Sequence, residues 1–89
     1  MKIIYQGQIG VVAGQTQEER AVNSEQSIAS LIADIAKSQS AEVAKFLVDE
    51  NGAVSASLFA ALDGNHVLDY TAPVGAASEL LLMPPMAGG

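Results

Sequence analysis

The stretch ELLLMPPMAGG, residues 79–89, contains the run whose reading decides the fold. Residues 79–83 form a short, continuous apolar segment, the pattern of a central strand buried on both faces. Pro84 and Pro85 end it, because neither has an N–H to give to a ladder. Working backwards, Pro73 and the VGAAS stretch mark a loop, and before it HVLDY (66–70) reads as a strand. Val54, Ala56, Leu58, Ala60 and Leu62 alternate ahead of that, which predicts a half-buried strand. Asp63-Gly64 or Gly64-Asn65 joins the two in a tight turn, since these residues accept positive φ.

The first half of the chain divides as clearly. KIIYQ (2–6) is β-branched and aromatic and stops at Gly7, so it predicts a strand. IGVVAG can make one helical turn closed by Gly14. A polar strand over about 16–22 then pairs with the first as a hairpin. Ile28, Leu31, Ile32 and Ile35 fall at i, i+3, i+4 and i+7, one apolar face of a helix. Ser24 or Ser27 can cap it, and Glu25 suits its positive end. Val43, Phe46 and Leu47 repeat the spacing, predicting a shorter helix over about 41–49 that Asn51-Gly52 ends. The order strand, strand, helix, helix, strand, strand, strand points to an α+β roll: a mixed sheet of about five strands with helices packed on one face. Residues 1–83 form the single domain of this reading, and 84–89 a flexible tail.

Bulk composition limits the function. The 89 residues carry ten acidic and four basic side chains, a net charge of −6. That charge repels phosphate backbones and anionic membranes, so neither nucleic acid nor membrane is an expected partner and a basic protein is. No apolar run approaches the ~20 residues that span a bilayer. MKIIYQGQIG is too short in apolar residues for a signal peptide, and a cytoplasmic location is expected. Without cysteine there is no disulfide, thiolate nucleophile or cysteine metal site.

Candidate chemistry is correspondingly thin. His66, near Asp63 and Asp69, has no serine elbow, cysteine or second histidine to complete a catalytic group, and reads as a surface or edge-strand residue. Glu18-Glu19 and Asp49-Glu50 are adjacent pairs that do not converge, so they read as solvated charge. GQIGVVAG has neither the G-x-G-x-x-G spacing nor a Walker lysine. Met1, Met83 and Met86 are too few for a cofactor box, although Met83 and Met86 suit an adaptable contact surface.

The last residues remain. A buried strand runs directly into two prolines, whose stiff extended backbone projects Met86, Ala87, Gly88 and Gly89 away from the body. Having no β-carbons, Gly88 and Gly89 can enter a narrow slot and present the Gly89 α-carboxylate to another enzyme.

PPMAGG resembles the PP-x-x-GG ending of the MoaD branch of the sulfur-carrier proteins, the MoaD/ThiS family of the ubiquitin-like β-grasp fold. LDGNHV followed by ELLLMPP is similar to that family's last hairpin and final strand, and the resemblance extends over the chain in length and element order. It implies that an E1-like enzyme uses ATP and magnesium to adenylate Gly89, and that a persulfide from a cysteine desulfurase or rhodanese-type sulfurtransferase converts it to a thiocarboxylate. For MoaD-like members the sulfur goes to the precursor of molybdopterin on the large synthase subunit. The alternatives are thiamin thiazole or cysteine synthesis, or a ubiquitin-like modifier joined through Gly89 to a lysine. By this resemblance the chain is no enzyme alone and binds no cofactor itself. Gln6, His66 and Met83 fall at the family's docking patch, Pro84 and Pro85 form the strut, and Met86 and Ala87 are tail contacts. A small interaction domain with a frayed end is the remaining reading.

Overall fold

Strand β1 (Lys2–Tyr5) alternates strictly: Ile3 and Tyr5 are buried, while Lys2 and Ile4 are half-buried. It belongs to a computed structural model that describes residues 1–85; Met86, Ala87, Gly88 and Gly89 lie outside the described residues. Helix α1 (Gln8–Ala13) follows and stops at Gly14, whose φ of 74° is left-handed as a helix-ending glycine requires. Strand β2 (Gln17–Glu19) pairs antiparallel with β1, as expected of that hairpin, but is shorter than the 16–22 predicted. Beyond it Arg20 exchanges backbone hydrogen bonds with Met1 (2.9 and 2.8 Å), and its Nη2 donates to Ser38 Oγ (2.6 Å) and Glu18 (3.3 Å).

Helix α2 (Ile28–Ser38) buries Ile28, Leu31, Ile32, Ile35 and Ala36, the face that the periodicity marks. Ser27, not Ser24, is the cap, its Oγ accepting from Ser30 N at 3.0 Å. Glu25 precedes the first turn, so it contributes no charge within it. The Ile28 and Ala29 amides, which a helix start leaves unpaired, are satisfied by the carbonyls of Ala72 and Tyr70. That exchange holds the long loop before the last strand against α2.

Helix α3 (Ala41–Leu47) is capped by Ser40 and ends two residues earlier than expected. Asn51-Gly52 does not cap it; the turn is built instead on Asp49, whose Oδ1 accepts from Asn51 N (2.8 Å) and Ala53 N (3.1 Å). The alternation from Val54 is only partly a strand. Val54 makes an isolated bridge to Val48, Ala56 is exposed, and β3 spans Phe59–Leu62. Asp63 (φ 48°) and Gly64 (φ 84°) form the turn to β4 (Asn65–His66), which is far shorter than 66–70.

Strand β5 (Glu79–Met83) completes a five-stranded sheet of order β2-β1-β5-β3-β4, parallel to β1 and antiparallel to β3. It is central, as its composition predicts. It is not buried on both faces, however: Leu80 and Leu82 are fully buried, while Glu79, Leu81 and Met83 are half-buried. The core lies on one face, where Ile3, Tyr5, Ala60, Leu80 and Leu82 meet α2, Val43 and Leu47 of α3, and Ile9 of α1.

Candidate functional site

Among the described residues the other face of the sheet carries no layer of helices, and its register builds a graded surface. Because side chains one position apart point to opposite faces, residues paired across strands share a face. Glu19, Lys2 and Glu79 make one row. The next is Gln17, Ile4, Leu81, Ala61 and His66. A third joins Met83 to Phe59. Gln6 extends β1 into that third row, since its N–H donates to Leu82 O at 2.9 Å. The face is therefore charged at one end and apolar at the other. Ile4, Phe59, Leu81 and Met83 stand outside the core cluster and are half-buried, while Ala61 among them is buried, so this face keeps part of its apolar surface in contact with water.

The apolar end is where β5 leaves the sheet. Pro84 is half-buried and lies over Gly7: a β-carbon at Gly7 would sit 3.6 Å from Pro84 Cγ and Cδ. Gly7 also has φ 61°, which L side chains avoid, so a glycine is required at this crossing. Beside it runs a shallow groove of 330 Å³ lined by Tyr5, Gly7, Gly10, Val11, Gly14, Gln15 and Thr16. Val11 on its rim is 72% exposed, which prolongs the apolar surface around the root of the tail. Pro85 is exposed.

The structure brings Met83, His66 and Gln6, three of the residues singled out in the sequence reading, to this one face. It adds Phe59, Ala61, Ile4 and Leu81, which that reading missed. Phe59 is the decisive addition, because its ring stacks on the His66 imidazole with centroids 4.3 Å apart and planes 16° from parallel. The parity of the 54–62 alternation held the missed signal: Phe59 and Ala61 occupy its off-beat positions, and they too are apolar. Gly88 and Gly89, with Met86 and Ala87, lie outside the described residues.

Among the described residues the titratable groups are held in separate hydrogen-bonded clusters. Asp63 Oδ1 accepts from Ser78 N and Glu79 N, both at 3.0 Å, and so ties the hairpin to β5. Asp69 accepts from Thr71 N (3.0 Å) and Thr71 Oγ1 (2.6 Å), and those bonds hold its carboxyl below the usual range. Neither aspartate is bonded to His66. On the core side, the Tyr5 hydroxyl donates to the Glu18 carboxylate, while Gln39 Nε2 donates to Tyr5 Oη at 3.3 Å. Burial first, then the bond to Glu18 and its charge, push the Tyr5 hydroxyl well above the ordinary tyrosine range. This cluster fastens β2 to the end of α2. Among the described residues no group of three or more His, Cys, Asp or Glu is placed to hold a metal ion, and no helix is long and apolar enough to cross a membrane.

No family model and no curated protein matches the sequence. Solved structures do match the fold. SAMP1 from Haloferax volcanii superposes with a TM-score of 0.82 at 17% identity, over 99% of this chain and 97% of that one. A protein assigned as molybdopterin converting factor, subunit 1, from Pyrococcus furiosus gives 0.73 at 19% identity, over 96% and 95%. Urm1 from Trypanosoma brucei gives 0.68 at 16% identity, over 99% and 93%. The resemblance read from the end of the sequence is thus matched at the level of architecture, and the chain has the ubiquitin-like β-grasp fold.

Proposed function

We infer that the chain is a carrier that works through its last residue, with residues 1–83 as the docking body and 84–89 as the reactive tail. One observation supports this above the others: the central strand delivers Pro84 from the apolar end of the sheet face opposite the core, which no helix among the described residues covers. A partner gripping the tail meets that face at the same time. The chemistry then belongs to the partner. An oxygen of the Gly89 carboxylate attacks the α-phosphate of ATP on an E1-like enzyme that uses magnesium, and pyrophosphate leaves. The acyl-adenylate so formed is a good electrophile. The terminal sulfur of a persulfide, carried by a cysteine desulfurase or sulfurtransferase, displaces AMP to give an acyl disulfide. A thiol of the donor cleaves the S–S bond, which leaves a thiocarboxylate on Gly89 and a disulfide on the donor. The favoured acceptor is the molybdopterin precursor on a synthase large subunit, consistent with the fold shared with the Pyrococcus protein. This chain supplies neither nucleotide site nor cofactor, and it acts in the cytoplasm.

A second reading has its own support, since a structure of the same fold is named small archaeal modifier protein 1. There a lysine Nζ of a target displaces AMP, loses a proton and forms an isopeptide bond.

Incubation with an E1-like enzyme, ATP, magnesium and a persulfide donor, followed by intact mass, separates the readings. A gain matching exchange of one oxygen for sulfur on the C-terminal peptide supports the carrier. Linkage to lysines of other proteins, without that gain, supports the modifier. A normal adenylation rate for Gly89→Phe overturns both.

A further inference from the structure

The docking face contains one group that a purely apolar contact leaves unexplained. His66 is exposed at the end of the row Ile4, Leu81, Ala61, and lies flat on Phe59. Two stacked rings make a rigid platform whose outer surface is the imidazole. A neutral imidazole is an aromatic surface that apolar atoms can cover. An imidazolium is a cation that loses its water when covered.

Its surroundings leave it free to act in this way. From β3, Phe59, Ala61 and Leu62 bring no charge, and Asp63 beyond them spends its carboxylate on Ser78 and Glu79 amides. From β4 and the residues after it, Asn65, Val67 and Leu68 are neutral, and Asp69 is engaged by Thr71. From β5, Leu81 and Met83 are neutral, while Glu79 sits at the far charged end beside Lys2. Among the described residues no carboxylate is bonded to the imidazole.

The charge of the chain as a whole, and of the far end of this face, specifies who covers the platform. With ten acidic residues against four basic ones, and Glu19 and Glu79 closing the far end of the face, the complementary partner has an apolar centre and a rim of Lys or Arg. We propose that the Phe59–His66 platform is the specificity element of this face: with the imidazole neutral it seats an apolar side chain of a basic-rimmed protein, and a proton on His66 weakens that docking. Desolvation of the cation and its repulsion from the basic rim act in the same direction. The proposal rests on the carrier reading, with the E1-like enzyme as the partner.

The probe is an E1-like adenylating enzyme in ATP–pyrophosphate exchange, with the half-saturating concentration of the full chain measured at about pH 7.5 and about pH 5.5. His66→Phe and His66→Gln, neither of which titrates there, report the enzyme's own pH dependence. The expected result is a rise for the natural chain roughly five- to tenfold larger than for either variant, because a proton on the imidazole must be shed before apolar atoms can cover the ring. The rise should be steeper at low salt, where the basic rim is less screened. Amide NMR spectra at both pH values confirm that each protein stays folded. Parallel profiles for the three proteins overturn the proposal and leave the carrier reading standing. No exchange with the natural chain at the higher pH overturns both.

Discussion

Leu81 and Leu82 are neighbours on the central strand and should behave as residues of two different molecules. Leu82 is fully buried between strands β1 and β3 and against the helices. Truncating such a leucine removes its transfer free energy and leaves a cavity, about 3 kcal/mol within a range of 2–5. A domain of 89 residues holds in total about 4–13 kcal/mol, at roughly 0.05–0.15 per residue. Leu82→Ala therefore removes a large share of all the stability present. Urea slopes of small domains lie near 1 kcal/mol per molar at their low end, so the midpoint falls by about 3 M. Leu81 is half-buried and faces away from the core, so Leu81→Ala forfeits about 1 kcal/mol or less and shifts the midpoint by no more than about 1 M. Its loss should appear elsewhere, as a raised half-saturating concentration in exchange with the E1-like enzyme. Equal midpoint losses for the two variants would refute the reasoning, because they would mean that the second face is packed and closed to a partner.

Two further outcomes follow from close contacts. A β-carbon at Gly10 would lie 2.6 Å from the Tyr5 carbonyl oxygen, a backbone atom that cannot swing aside, so Gly10→Ala should cost about 1–3 kcal/mol; an unchanged urea midpoint would show that α1 shifts freely. Tyr5 titrates above its ordinary range, so the stability it contributes is complete below about pH 10 and is lost as pH rises beyond that, when the unfolded chain ionises first. Tyr5→Phe should flatten the decline in urea midpoint above about pH 10, where the half-buried Tyr70, whose hydroxyl burial also raises, still contributes. An identical decline in both proteins would remove Tyr5 from the account.

Element order was legible in the sequence because each helix and each turn carried its own local chemistry. Ser27, one of the two serines offered as a cap, starts α2 by its hydroxyl, and Asp63-Gly64, one of the two turns offered, marks the hairpin by tolerance of positive φ, whereas the Ser40 cap of α3 was not read. Strand extents were not legible. Between Ser55 and Ser57, alternation of serine and alanine satisfies a period of two while burying almost nothing, and Ala56 is exposed there. The misreading of residues 79–83 has a different cause and is the more informative one. Apolar residues at consecutive strand positions show only that both faces avoid water; they do not say whether the cover comes from the same chain. Leu80 and Leu82 find theirs in full against the helices, whereas among the described residues Leu81 and Met83 are only partly covered. A central strand that reads as doubly buried, in a chain with too few helices to cover two faces, is therefore a sign of a half-covered apolar face, the kind of surface that the proposed carrier role requires. Applied to this sequence, that argument selects Ile4, Phe59 and Leu81 by parity alone and places them beside Met83, where the chain departs toward Gly89.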